Sequence, residues 1–182
     1  MDASRTSVSD TARYNLVCAK AAWDDLFFEV FRRHPAYMQI VETLDARSAM
    51  DFLNLALANC PHYLANVEEF RRNESVGGPL LVNFPTVGVF APSTLRYIKV
   101  ASDIERFFGN LNGLRVAEVG AGYGGQCRIL ACLNRFESYT LFDLPSPSRL
   151  ARRYLDCFAV PNVVIGDIFA EHARRYDLVI SN

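Results

Sequence analysis

The chain has 182 residues, 51% of them apolar and 21% charged, with a formal net charge of −1. That is room for one sizeable core, or one domain with a helical extension, in a globular protein. The near-neutral balance excludes the basic footprint of a nucleic-acid binder. No apolar run reaches the roughly 20 residues of a membrane span, and the polar stretch Met1 to Asp10 lacks a signal-peptide core, so a cytoplasmic protein is expected.

Residues 10–33 place Leu16, Val17, Trp23, Leu26, Phe27, Val30 and Phe31 on one helical stripe, with Asp10 as N-cap. His34-Pro35 ends that helix, because the residue before a proline is pushed out of helical geometry. Helical patterns follow over 36–44, 47–59 and 62–72, then the breaker NESVGGP at 73–79. Leu80 to Pro92 reads as extended chain interrupted by Pro85 and Gly88. Ser93 is placed to cap a further helix carrying Leu95, Ile98, Ala101, Ile104, Phe107 and Phe108 on one side, with Gly109 at its C-terminal cap.

From Leu114 the pattern changes to strand–helix alternation. Strands are expected at 114–119, 138–142, 162–166 and 176–181, and helices at 125–136, at 147–158 (opened by Ser146-Pro147) and near 168–174. Short apolar strands with crossover helices predict an α/β fold, a Rossmann-like parallel sheet of about four strands behind an α-helical N-terminal region. The expected division is 1–110 and 111–182, with the boundary near Gly109 to Gly113.

The pairs Arg32-Arg33, Arg71-Arg72, Arg152-Arg153 and Arg174-Arg175 read as solvated faces. Five cysteines without a C-x-x-C read as buried reduced thiols, and no metal site is expected.

Chemistry concentrates at Glu118-Val119-Gly120-Ala121-Gly122-Tyr123-Gly124-Gly125. A strand, a glycine turn and a helix start bring backbone close to a nucleotide-type cofactor, where a Cβ would block the turn or the ligand. Gly120, Gly122 and Gly125 satisfy the dinucleotide spacing, and Asp143 at the next strand end suits ribose hydroxyls of either a nicotinamide or an S-adenosylmethionine site. Three features favour S-adenosyl-L-methionine. The Glu118 carboxylate at the strand tip repels a pyrophosphate and attracts an ammonium and a sulfonium. Asp167 ends the third strand, where a carboxylate can accept the adenine amine. The run DLVISN ends the fourth strand in small polar residues, suited to the methionine side.

The strings RVAEVGAGYGGQCRIL, YTLFDLPSP and DLVISN together resemble a class I S-adenosylmethionine-dependent methyltransferase, and in flavour the sugar O-methyltransferases of bacterial glycan modification. PSTLRYIKVASDIERFF is similar to that family's lead helix. The resemblance implies that Gly120, Gly122 and Gly124 pass under the methionine part, that Glu118 orients the loop or reaches the amino group through water, that Asp143 holds the ribose, and that Asp167 meets the adenine. With Ala121, Tyr123, Leu144, Ile168 and Asn182 these make up the expected cofactor-binding set. It implies transfer of a methyl group to a small-molecule or glycan hydroxyl, with no nucleic acid or membrane as partner. Proton removal from that hydroxyl needs a base; His62, Tyr97 and His172 are the candidates, none assigned, and Arg96 with Tyr97 could reach the cofactor carboxylate.

A full sheet of this family has seven strands, and the chain stops after about four. Leu178 and Ile180 are therefore expected on an unprotected edge, covered in a homodimer, by a partner or by the N-terminal helices, or else leaving the protein poorly soluble. The alternatives are an NAD-dependent oxidoreductase and a non-catalytic cofactor-binding fragment.

Overall fold

The computed structural model describes residues 12–167 and 175–181. Asp10, Ile168, His172 and Asn182, and the helix expected near 168–174, lie outside them.

The long N-terminal helix divides at Asp24. Helix α1 (Ala12–Trp23) stops there, and the Asp24 carboxylate accepts the Phe27 N–H at 2.9 Å to start α2 (Asp25–Phe28) as an N-cap. The buried face also differs from the expected one. Tyr14, Val17, Cys18, Ala21, Phe28 and Phe31 enter the core, while Leu16, Trp23, Leu26 and Val30 of the expected stripe are exposed. Helix α3 (Pro35–Met38) is shorter than expected, and α4 (Ala46–Asn59) begins where Asp45 accepts the N–H groups of Arg47 and Ser48. The 62–72 segment is a 3₁₀ turn followed by α5 (Val67–Arg71). The extended stretch is an antiparallel hairpin, β1 (Val82–Phe84) and β2 (Gly88–Phe90), turning at 85–87. Helix α6 (Pro92–Phe108) starts two residues early, with proline in its first turn and Ala91 as cap; Ser93 is buried and bonded elsewhere. Phe107 and Phe108, expected on the apolar side, are exposed at its end, and Gly109 closes it at φ +76°.

The α/β part follows as β3 (Arg115–Val119), α7 (Gly125–Leu133), β4 (Ser138–Asp143), α8 (Pro145–Asp156), β5 (Val163–Asp167) and β6 (Leu178–Ser181). Helix α8 takes Leu144 as its cap, two residues before the expected Ser146. The strands form one parallel sheet in the order β5-β4-β3-β6. This is the expected Rossmann-like half: the chain runs outward from β3 to β5 and then returns to the other side of β3. The switch point between β3 and β6 opens a crevice at the carboxyl ends of the strands, where ligands of such sheets bind.

Strand register sorts the side chains. Val116, Tyr139, Leu141 and Ile180 share the face that joins the main core, and Val163, Ile165 and Leu178 pack against it. Ile180 is therefore buried and Leu178 partly so; the apolar residue that β6 exposes is Val179, on the opposite face. The pleat produces this, since neighbouring residues alternate faces whatever lies beyond the edge. The N-terminal helices pack elsewhere, α1 on α8 and α4 on α6. The loop at 109–113 is tied down: Asn134 Oδ1 accepts the Leu111 N–H at 2.7 Å, and Arg135 carbonyl oxygen accepts the Gly113 N–H at 2.8 Å. One apolar core runs from α1 to β6. No helix of the described residues is long and apolar enough to cross a membrane.

Strand β6 is held at its start by Asp177. The carboxylate accepts the Arg115 backbone N–H at 2.8 Å and pairs with the same residue's guanidinium at 2.9 Å, bonds that hold its carboxyl down to about 2. A depressed acid contributes stability above its unfolded value, about 3.9, and loses it as pH falls through the folded one. Protection of the β6 amides, measured against their intrinsic exchange rates, should therefore fall between about pH 4 and pH 2, ahead of that of β4, and Asp177→Asn should bring that loss of protection to neutral pH. Equal protection of β6 in Asp177→Asn and the parent at pH 7 would contradict this.

Candidate functional site

The glycine loop leaves β3 by continuing its ladder one residue further, as Gly120 donates its N–H to the Phe142 carbonyl at 2.8 Å. Gly120 (φ +75°) and Gly122 (φ +57°) take left-handed backbone that L side chains avoid, and a Cβ on either would meet only open space. Gly125 serves the opposite purpose. A Cβ there would come within 2.5 Å of the Tyr97 ring and 2.7 Å of Tyr123, so this glycine lets α7 pack close to α6. The first two glycines of the spacing face the crevice and the third faces the core.

Asp143 fixes the loop. One carboxylate oxygen accepts the Gly122 N–H at 2.8 Å, the other the Leu144 N–H at 2.7 Å. It lies on the wall between two pockets. The smaller, about 310 Å³, is lined by Glu118, Gly120, Ala121, Gly122 and Asp143 from the sheet side, and by Tyr14, Ile40, Val41, Arg96 and Tyr97 from the helical front. The larger, about 680 Å³, includes Pro145, Ile165, Gly166 and Asp167 at the ends of β4 and β5, bounded by Trp23 and the arginines of α8. Asp143, at the carboxyl end of β4, is the lining residue they share, and the two together are the cleft, each part of a size that takes small ligands.

Glu118 reaches the smaller pocket from a position 1% exposed, with Oε2 accepting the Tyr139 hydroxyl at 2.8 Å. Arg96 faces it from α6. Its guanidinium donates to the Val41 carbonyl at 3.3 Å and lies 5.3 Å from the Tyr97 ring, and its Nε is buried without a partner. Arg96 is half-buried in this placement, not on a freely solvated helix face. The pocket therefore offers a cationic donor on one side and two carboxylates on the other, complementary to a zwitterionic amino-acid group.

Tyr123 turns away from the cleft. Its ring is 0% exposed, edge-on to Tyr154 at 4.7 Å between centroids and 4.9 Å from the Arg32 guanidinium. Gly124 also faces inward, where a Cβ would lie 3.0 Å from Leu155. Neither is among the residues that line the smaller pocket, and their inward packing anchors the loop. Leu144 is placed as the cap of α8. His62 lies at the other end of α6, with Nε2 3.1 Å from Glu105 Oε1, and is remote from the cleft as a base. Tyr14 and Tyr97 do line it, but burial raises both phenols, so they stay protonated and act as hydrogen-bond donors. Burial also pushes the Cys18 thiol behind Tyr14 up to about 12.

Tyr14, Ile40 and Val41 carry no local sequence signal as pocket residues, because they approach the loop from across the chain. Arg32 departs from its expected solvated face for a related reason. It is wholly buried: Nε donates to Glu42 at 2.6 Å, one terminal nitrogen reaches the Asn73 carbonyl at 3.1 Å and Glu74 at 3.5 Å, and the other donates to Ser93 at 3.2 Å. Ser93 in turn donates to Glu42, and Tyr154 to the Asn73 side chain. This polar cluster sits directly behind the glycine loop.

Neither a protein-family model nor a curated protein sequence matches the chain. Among solved structures it is similar to a protein assigned as a sarcosine dimethylglycine methyltransferase from Galdieria sulphuraria, at 22% identity and a TM-score of 0.40 over 49% of this chain and 36% of that one. It is also similar to magnesium protoporphyrin IX methyltransferase from Synechocystis PCC 6803, solved with bound SAH, at 21% identity and a TM-score of 0.37 over 75% of this chain and 57% of that one. The chain thus spans less than two thirds of the length of either. At this overlap the likeness adds nothing to what the strand order establishes.

Proposed function

We propose that the chain binds S-adenosyl-L-methionine and serves methyl transfer to an oxygen, with a sugar hydroxyl as acceptor. The observation that carries the reading is Asp143, a carboxylate between a pocket lined by opposed charges and a pocket ended by a second acid. In this reading Glu118 and Arg96 hold the amino and carboxylate groups of the methionine end, Asp143 the ribose, and Asp167 the adenine. The Arg96 guanidinium on the pocket wall suits a carboxylate. When bound, the sulfonium supplies a methyl carbon open to in-line displacement. The residues of the cleft orient the two reactants and keep water out, the main contribution such a reaction needs. The acceptor proton requires a base, and the described pocket assigns none. A sugar acceptor rests on the resemblance of YTLFDLPSP and its neighbours to glycan-modifying enzymes.

The same glycine spacing would suit a nicotinamide cofactor, and calorimetry separates the two. Saturable binding of S-adenosylhomocysteine with no heat from NAD is the expected result, because Glu118 repels a pyrophosphate. The reverse pattern overturns the proposal. Binding of S-adenosylhomocysteine without methylation of any glycan or small-molecule hydroxyl would leave a cofactor-binding fragment as the better account.

A further inference from the structure

At the far end of α6 from the cleft, the fold assembles a second group of side chains that methyl transfer does not use. Cys60 ends α4, His62 follows in the 3₁₀ turn at 61–66, and Glu105 lies in the last turns of α6. Cys60 Sγ, a His62 ring nitrogen and a Glu105 carboxylate oxygen all lie within 4.8 Å of one another. Cys60 is buried, and the His62 ring is 3.1 Å from the Glu105 carboxylate. The other Glu105 oxygen accepts the Tyr63 hydroxyl at 2.9 Å, a bond that orients the carboxylate.

We infer that Cys60, His62 and Glu105 form a binding site for a zinc-type divalent cation, one that pins the end of α4 to the end of α6. The donor set argues for this class of metal. One sulfur, one imidazole nitrogen and one carboxylate oxygen suit a borderline-soft ion; magnesium and calcium take oxygen alone, and copper(I) prefers sulfur. Around a tetrahedral zinc the ligand atoms stand about 3.3–3.8 Å apart, given bonds of 2.0–2.3 Å. The observed separations, none above 4.8 Å, exceed this by at most about an ångström. His62 and Glu105 also line a groove of about 550 Å³ with Asn66, Asn110 and Asn134, which leaves the fourth position open to water. The site is separate from the cleft: Glu105 stands nine positions along α6 from Arg96, about 14 Å at 1.5 Å per residue. Its role is to stabilise the α4–α6 pair on which the helical front is built. The sequence hides the site because Glu105 lies 43 positions from His62 and the C-x-H spacing is not a familiar zinc pattern.

The test is titration of the reduced, untagged protein with cobalt(II), followed by zinc. One equivalent of cobalt should bind with a sulfur-to-cobalt charge-transfer band, zinc should displace it, and zinc should raise the unfolding temperature. Cys60→Ser should abolish the band, while Cys132→Ser, which alters another thiol lining the same groove, should keep it. His62→Ala should weaken cobalt binding at least tenfold, and since His62 is exposed this variant decides the matter if Cys60→Ser does not fold. No band in the parent protein, a band that survives Cys60→Ser, or unchanged affinity in His62→Ala would each overturn the site. None of these readouts depends on methyl transfer.

Discussion

Arg32→Met should destabilise the protein by about 3–5 kcal/mol, the range found when one partner of a buried ion pair is removed. The loss is not that of a favourable contact alone. Arg32 is wholly buried between Glu42 and Glu74, so its removal leaves two carboxylates in the core without their cation. Burial already raises the Glu74 carboxyl, with Arg32 opposing it. Without the guanidinium that rise loses its main opposition and keeps only the bonds from Thr94 and the Ala91 backbone. An acid whose folded value lies above its unfolded one contributes stability at low pH and loses it as pH rises through the folded value. The deficit of Arg32→Met should therefore be largest at neutral pH and narrow as pH falls towards about 4.3, the unfolded glutamate value. Urea titrations of variant and parent at several pH values measure this directly. A deficit that is small, or flat with pH, would show that the cluster is not held as the structure has it. Replacing Arg32, Glu42 and Glu74 together by apolar residues of similar volume should recover much of the stability, because no charge is then stranded.

The same cluster explains which parts of the fold are legible in the sequence. The strand–turn–helix at 115–125 is local: an apolar run, glycines where left-handed backbone is required, then a helical repeat, all within about a dozen positions. The ends of β4 and β5 follow the same local grammar, which is why Asp143 and Asp167 can be placed at strand ends from the sequence alone. Arg32 cannot be placed that way. An arginine pair closing a helix reads as solvated, and its partners lie 10, 42 and 61 positions away. Tyr123 is illegible for the converse reason. It lies between two glycines of the loop after β3, yet the packing of Phe31, Tyr97 and Tyr154 around it, from three distant segments, turns it into the core. Along α1 the buried face is Tyr14, Val17, Cys18 and Ala21 rather than the expected stripe, and at Asp24 a capping bond starts α2 in a new phase. Leu16, Trp23 and Leu26 then face outward although their spacing is helical. Periodicity reports which residues share a face; tertiary packing decides which face is covered.

Asp143→Ala should weaken binding of S-adenosylhomocysteine by about 10–100-fold, the effect of losing charge-assisted hydrogen bonds of roughly 1.5–3 kcal/mol. Two contributions are expected, and they are separable. The carboxylate holds the Gly122 and Leu144 N–H groups, so its loss loosens the loop and the start of α8. A carboxylate accepts about four hydrogen bonds, so holding the loop and holding a ribose are compatible roles. Loop distortion penalises every ligand of the cleft alike. Loss of a ribose contact penalises only ligands that carry the hydroxyl. The parent protein should therefore bind S-adenosylhomocysteine more tightly than its 2′-deoxy or 3′-deoxy analogue, and Asp143→Ala should bind the matched pair with nearly equal affinity. This is a double-mutant cycle with the ligand as the second partner. Asn in place of Asp143 keeps one acceptor and loses the charge, so it should fall between the two. If Asp143→Ala weakens all these ligands equally while the parent shows no preference among them, Asp143 is a loop anchor only, and the ribose must be held elsewhere in the cleft.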